Sequence, residues 1–195
     1  DPELDLDKIR NWKESVVTKL SNGITQLAKA RNVQVIQGLA TFDSPTQLSI
    51  TSENSQQTLT FDNCIIATGS RAAGIPGTPA DHPRIINSTG ALKLQNIPKR
   101  LLVIGGGYIG LEMGSVYNAL GSQVTVVEFM PKLLPGADED LVKPLASKLK
   151  KSFENIYLST KVSKVEPTDN EVTVHFEGTD GKEFSETFGT VLVSV

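Results

Sequence analysis

A glycine-rich turn between two short apolar runs constrains this chain more than any other feature. Residues 101–128 read LLVIGGGYIGLEMGSVYNALGSQVTVVE. Residues 101–104 form the kind of apolar run that a parallel strand buried on both faces requires. Gly105, Gly107 and Gly110 follow as G-x-G-x-x-G. In such a turn the first glycine permits the sharp reversal and the second lets a pyrophosphate approach the backbone. The third lets the helix pack close to the strand. The spacing predicts a helix over residues 108–120, stopped by Gly121 at its C′ position. A second strand over 124–127 then ends at Glu128. Unpaired N–H groups and about half a positive charge at the helix start favour an anion. Glycines cluster in ordinary turns, so the triplet alone carries little. Strand, turn, helix, strand and terminal acid in this order together define a dinucleotide-binding fingerprint.

Glu128 also discriminates between nicotinamide nucleotides. A carboxylate at the end of the second strand accepts hydrogen bonds from ribose hydroxyls but repels a 2′-phosphate. Two unit charges about 4 Å apart at an effective dielectric near 20 repel by roughly 4 kcal/mol before salt screening. An NADP site would want arginines beyond the strand, whereas Phe129, Met130 and Pro131 follow, with Lys132 the nearby cation. The expected nucleotide is NAD.

Composition removes several function classes. The 195 residues carry a net charge of −3, so no basic footprint points to nucleic acid or to a membrane surface. The apolar runs are too short for a transmembrane helix, and the acidic start DPELDLD is no signal peptide. A single cysteine excludes an internal disulfide framework and fits a reducing, cytoplasmic setting. The first residue is not methionine, and the last five, VLVSV, form an apolar strand-like run. Both ends lead to the expectation of a fragment of a longer protein.

Elsewhere, Ile9, Trp12, Val16, Leu20, Ile24 and Leu27 fall at helical spacing across residues 6–30, with Gly23 inside the pattern. Short strands are expected at 33–36, 47–51 and 59–61, as a small β-meander, and an apolar strand at 63–67. Gly74, Pro76, Gly77, Pro79 and Pro83 mark a loop between two units. After the fingerprint, a helix is expected over 139–153, with Asp138 as a possible cap and Pro144 as a kink or a broken first turn. Strands follow near 156–158 and 162–166, and a hairpin pairs 171–176 with 182–188 across Asp180-Gly181. The fold class expected is α/β: a Rossmann-like NAD-binding domain with a parallel sheet (84–195), a β-meander and hairpin, and a partial FAD-binding domain (1–83).

Several segments together resemble the flavoprotein disulfide reductases, most closely the bacterial-type dihydrolipoamide dehydrogenases. These are Cys64-Ile-Ile-Ala-Thr-Gly-Ser-Arg71, Ser88-Thr-Gly-Ala-Leu92, the fingerprint itself and Thr160-Lys-Val162, in the family's order. The resemblance implies that Thr68, Gly69 and Ser70 approach FAD through backbone groups and that Ala40 also touches it. It implies that Gly105, Gly106, Gly107, Tyr108, Ile109 and Gly110 carry the NAD pyrophosphate, and that Glu128 holds the adenosine ribose. Val162 would lie against the adenine, with Tyr108 and Glu112 close to nicotinamide and flavin. It further implies an oxidoreductase, homodimeric in full length, that acts on lipoyl domains of 2-oxo acid dehydrogenase complexes. The alternatives are another disulfide reductase, a soluble transhydrogenase, or a non-catalytic NADH-binding module.

Read without the family, these residues have plainer roles. Cys64 on an apolar strand is expected to be a packed core residue, and His82 and His175 to be surface or structural. Tyr108 would be a packing residue at the helix start, Glu112 a solvated or capping acid, and Thr68-Gly69-Ser70 an ordinary turn. The family's redox cysteine pair and its first glycine fingerprint are missing, so no catalytic residue and no metal ligand is assigned. The purified 195-residue chain is expected to show no turnover of dihydrolipoamide and to retain little or no flavin. A steady-state assay and the flavin absorbance band of the purified protein check both.

Overall fold

The computed structural model describes residues 4–53, 55–79 and 81–195; the first residues of the acidic start and one position of the 71–84 loop lie outside them. In chain order it builds α1 (Leu6–Ala30), β1 (Leu39–Ser44), β2 (Gln47–Ser52), β3 (Ser55–Thr60), β4 (Ile85–Asn87) and α2 (Ser88–Leu92). Then come β5 (Arg100–Ile104), α3 (Tyr108–Ala119), β6 (Gln123–Val127), α4 (Glu139–Ser152) and β7 (Asn155–Tyr157). The chain finishes with β8 (Thr160–Pro167), β9 (Val172–Gly178), β10 (Glu183–Phe188) and β11 (Thr190–Val193). Two compact units result, Asn11–Ser70 and the combination of Asp1–Arg10 with Arg71–Val195.

The larger unit is organised by a five-stranded parallel sheet of order β4-β11-β5-β6-β7. Its central strands are apolar at nearly every position because both faces are covered. Successive side chains alternate between faces. Leu101, Val103, Val124, Val126 and Leu192 therefore meet Leu111, Tyr117, Leu149 and Phe153 on the helical side. Leu102, Val127, Val191 and Val193 meet Val172, Val174, Phe176 and Phe188 on the other. That second layer is the antiparallel sheet β10-β9-β8. The expected hairpin forms between β9 and β10 with Phe176 opposite Phe184, and Gly181 turns it at φ +75°.

The other elements of this unit follow or amend the sequence reading. Gly121, at φ +108°, follows the end of α3. Ser88–Leu92 forms the short helix α2, capped when Asn87 Oδ1 accepts the Gly90 N–H at 3.0 Å. Helix α4 runs without interruption through Pro144, and no side-chain hydrogen bond from Asp138 caps it. The ring lacks the N–H that would reach back to Asp140, so one bond is lost while the apolar stripe of Val142 and Leu149 still buries against the sheet.

At the edge opposite the glycine turn, Arg100 joins three elements. Its guanidinium lies 2.6 Å from Glu186 and 2.9 Å from Glu154, donates to the Thr187 carbonyl at 2.8 Å, and sits 4.7 Å from the Phe188 ring centre. The Tyr157 hydroxyl donates to Glu186 at 2.5 Å, and its ring packs edge-on to Phe184.

The smaller unit holds most of α1 and an antiparallel meander β1-β2-β3. Helix α1 has the expected span, but its predicted apolar face is open: Trp12 is 70 % exposed, and Leu20, Ile24 and Leu27 are also exposed. Two expected strands are absent. Residues 33–36 and 63–67 are irregular, and the first strand of the meander is Leu39–Ser44 instead. A strand exists only by sharing its backbone hydrogen bonds with a neighbour, and among the described residues none pairs with either segment. Cys64, expected in the core, is therefore exposed, and Ile65 beside it is 92 % exposed. Strand β3 begins earlier than read, because Gln56 and Gln57 continue the ladder opposite Thr51 and Ile50.

Burial first, and the bond to Glu186 second, push the Tyr157 pKa up from 10.0 to about 12. The folded state thus holds this proton more tightly than the unfolded chain. The stabilisation is complete below pH 10 and is lost as pH rises towards 12. The melting temperature of wild type is expected to fall more steeply over that interval than that of Tyr157→Phe, measured by circular dichroism.

Candidate functional site

The carboxyl ends of the parallel strands converge on the glycine turn. From β5 the chain crosses through α3 to β6 on one side, while β11 and β4 lie on the other. This is the topological switch point at which open α/β sheets bind ligands. Gly105 adopts φ +109°, and its N–H donates to the Val127 carbonyl at 2.9 Å. A Cβ there would stand 2.6 Å from the Ser194 carbonyl oxygen. Gly110 is tighter still, since a Cβ would lie 2.2 Å from the Gly105 oxygen. Gly107 is different. It is the N-cap of α3, at φ −77°, and nothing lies within 4 Å of the place a Cβ would take. The first intrahelical bond runs from the Leu111 N–H to the Gly107 carbonyl at 3.0 Å. The amides of Gly107, Tyr108, Ile109 and Gly110 consequently have no helical acceptor.

Glu128 is committed to the turn from the side. Its Oε2 accepts the Gly106 N–H at 2.7 Å, and its Oε1 accepts the Met130 N–H at 2.7 Å. The Gly106 amide is thus taken, and the open donors begin at Gly107. Each carboxylate oxygen keeps acceptor capacity for a further hydroxyl. The Gly106 carbonyl in turn accepts the Leu134 N–H at 2.9 Å, and buried Leu133 packs over the same residue. The turn is braced on both of its polar groups before any ligand arrives.

Beside it lies a cleft of about 270 Å³ with apolar walls from Ile75, Ile104, Val127, Phe129 and Val162. Glu128 and Lys161 are its charged side chains. Two backbone bonds, Thr160 N–H to the Glu128 carbonyl at 3.1 Å and Ser159 N–H to the Met130 carbonyl at 3.0 Å, pin the start of β8 to the end of β6. Val162 therefore meets Glu128 across one cleft although 34 residues separate them.

The remaining candidates are more dispersed. Tyr108 is 69 % exposed at the start of α3; Ile109 and Glu112 are exposed along it. Ala40 is exposed on β1 opposite Ile50, and Thr68, Gly69 and Ser70 are exposed in the irregular segment after β3, with Gly69 at φ +70°. These four belong to the smaller unit. They offer small side chains and open backbone, which suits the approach of a large ring, but they do not by themselves form a cradle. His175 lies on the antiparallel sheet, 2.6 Å from Glu166. Lys164 first, and His175 second, hold the Glu166 carboxyl below its ordinary pKa. Among the described residues no group of three or more His, Cys, Asp or Glu could hold a metal ion. Nor is any helix there long and apolar enough to cross a membrane.

Sequence reading missed Ile75, Phe129 and Lys161 as parts of the cleft. Phe129 and Lys161 were recoverable, being adjacent to Glu128 and Val162. Ile75 sits in a Gly- and Pro-rich loop that carries no local sign of where it folds.

A fingerprint turn on a parallel sheet, with an antiparallel sheet behind it, is the architecture of a nucleotide-binding oxidoreductase domain. The chain belongs to the pyridine nucleotide-disulphide oxidoreductase family, which it matches over residues 3–195. It is 42 % identical over 195 residues to the dihydrolipoyl dehydrogenase of Vibrio cholerae, covering 100 % of this chain and 41 % of that protein. To the enzyme of the same name from Haemophilus influenzae it is 49 % identical over 179 residues, covering 91 % and 37 %. The HOCl-induced flavoprotein disulfide reductase RclA of Escherichia coli has the same fold at TM-score 0.83 and 28 % identity, over 95 % of this chain and 42 % of that one. The chain thus spans about 41 % of the length of the first of these relatives.

Because the Gly110 Cβ would meet fixed backbone, Gly110→Ala is expected to destabilise the larger unit by about 1–3 kcal/mol, or more if α3 cannot shift. Chemical denaturation reads this as a lower midpoint.

Proposed function

We propose that this chain is the nicotinamide-nucleotide-binding part of a FAD-dependent dihydrolipoyl dehydrogenase. The whole enzyme would oxidise protein-bound dihydrolipoamide with NAD in the cytoplasm, as a homodimer serving the lipoyl domains of 2-oxo acid dehydrogenase complexes. The observation that carries this reading is the pairing of open amides at Gly107 with the Glu128 carboxylate across the same turn. The amides of Gly107, Tyr108, Ile109 and Gly110 would hold the pyrophosphate on the positive end of α3, and Glu128 would take the adenosine ribose hydroxyls.

Bound FAD supplies the two-electron chemistry between thiol and nicotinamide. In this reading residues 1–83 belong to the flavin-binding part and 84–195 to the NAD-binding part. Ala40, Thr68, Gly69 and Ser70 would face the flavin. Tyr108, solvent-exposed at the mouth of the turn, and Glu112 one turn along α3 would border the nicotinamide. The fold shared with the Escherichia coli flavoprotein disulfide reductase supports a second reading, a related reductase with another thiol or disulfide substrate. Both readings place the nucleotide on the same turn.

Direct titration of the chain is expected to show binding of NADH at least about tenfold tighter than of NADPH, equivalent to about 1.4 kcal/mol. Gly107→Ala puts a methyl into the open space over the turn without touching protein atoms. It is expected to keep the wild-type melting temperature while losing NADH affinity by tenfold or more. Equal affinity for the two nucleotides, or unchanged binding by this variant, would contradict the assignment.

A further inference from the structure

We infer that the backbone N–H of Leu134 aims the first open amide of the turn, by holding the Gly106–Gly107 peptide in one orientation. This rests on the nucleotide reading above and adds a positioning residue from outside the fingerprint. The Leu134 N–H donates to the Gly106 carbonyl at 2.9 Å. In a planar trans peptide that carbonyl and the N–H of the next residue point in opposite directions. The next residue is Gly107, whose amide is the first without a helical acceptor. Its direction is therefore set from the far side of the same plane. Glu128 cannot do this, because its bond to the Gly106 N–H fixes the preceding peptide. Nor can Gly107 itself, which has no side chain and has nothing within 4 Å of where a Cβ would stand. Accepting a bond at the carbonyl also polarises the peptide and strengthens its N–H as a donor.

Leu134 makes this contact from a backbone conformation that leucine seldom adopts. Its φ is +48°, in the left-handed region. Pro135 follows it, and a residue before proline relaxes to extended backbone. The left-handed conformation is imposed from both sides. Leu133, before it, is 3 % exposed, and its Cδ2 lies 2.7 Å from the place a Gly106 Cβ would take. After it, the Leu134 carbonyl accepts the Ala137 N–H at 2.8 Å, closing a turn through Pro135 and Gly136 that leads into α4. Strain of this kind persists only where the surroundings over-determine it, and it collects at ligand-facing positions. Here it places one N–H under the carbonyl that backs the Gly107 amide.

Variants at this position separate the backbone role from packing by the leucine side chain. Leu134→Ile keeps the apolar bulk, but its β-branch resists a positive φ, whereas Leu134→Asn loses the bulk and accepts that φ. An ester in place of the peptide bond between Leu133 and Leu134 keeps both side chains and deletes the N–H. In the Ile and ester variants the dissociation constant of NADH is expected to rise about tenfold. In Leu134→Asn it is expected to stay near the wild-type value, even where lost packing lowers the melting temperature. The Gly107 amide signal in proton–nitrogen NMR spectra of the free protein is expected to move in the Ile and ester variants and to hold its place in Leu134→Asn. An ester variant that binds NADH like wild type, or a Gly107 signal indifferent to the ester, would overturn the positioning role. So would affinities that follow the melting temperature, with Leu134→Asn the weakest binder. If wild type binds NADH in any of these cases, the nucleotide reading stands. Wild type that does not bind NADH overturns both.

Discussion

The site depends on one close approach. The first turn of α3 lies against the Gly105 carbonyl, so close that a side chain on Gly110 would enter the space of that oxygen. Because Gly110 has none, the helix starts directly above the end of β5, and its free amides face the crevice at the sheet's carboxyl edge. Gly105 at φ +109° makes the reversal, pressed against Ser194 just beyond β11. Neither contact binds a ligand. Together they aim the helix start, and an anion site at a helix N-terminus is useful only where it is aimed.

The sheet that presents this turn is buttressed at its opposite edge and on both faces. Helices cover one face and the antiparallel sheet the other, so the central strands lose nearly all contact with water. Arg100 ties β5 to β10 and to Glu154, the residue just before β7, through two carboxylates, a carbonyl and the Phe188 ring. Arg100 opens β5 and Glu154 stands just before β7, so these groups brace the amino ends of the strands. The smaller unit contrasts with it. The apolar stripe of α1 and the Ile65–Ile66 segment are exposed, and Ile50 is the buried hydrophobic residue of its meander.

Elements carrying their own signal were legible in the sequence. The fingerprint strand, helix and second strand, the hairpin at Asp180-Gly181 and the long helix α1 follow local rules of periodicity, glycine conformation and capping. Residues 33–36 and 63–67 were misread because an apolar run shows only that a segment could pair, and pairing needs a neighbour. Cys64 was misplaced with its segment. The short strand β4 and helix α2 were missed because three and five residues are too few to show a period. In the candidate site, spacing singled out Glu128 and the glycines, and the structure brings them together at one turn. Phe129 was read only as the absence of an arginine, and Ile75 not at all.

By itself the sequence determined the βαβ turn, the acid that ends β6 and the exclusion of a side chain at Gly110, since all of these are set within about 30 residues by local backbone chemistry. Tertiary structure alone decided that β11, last in the chain, inserts between β4 and β5, and that β8 brings Val162 to the cleft beside Glu128. It also decided that Glu128 spends two acceptor positions on bracing the turn it serves. Those outcomes depend on which distant surfaces bury each other, and no local pattern of residues encodes that choice.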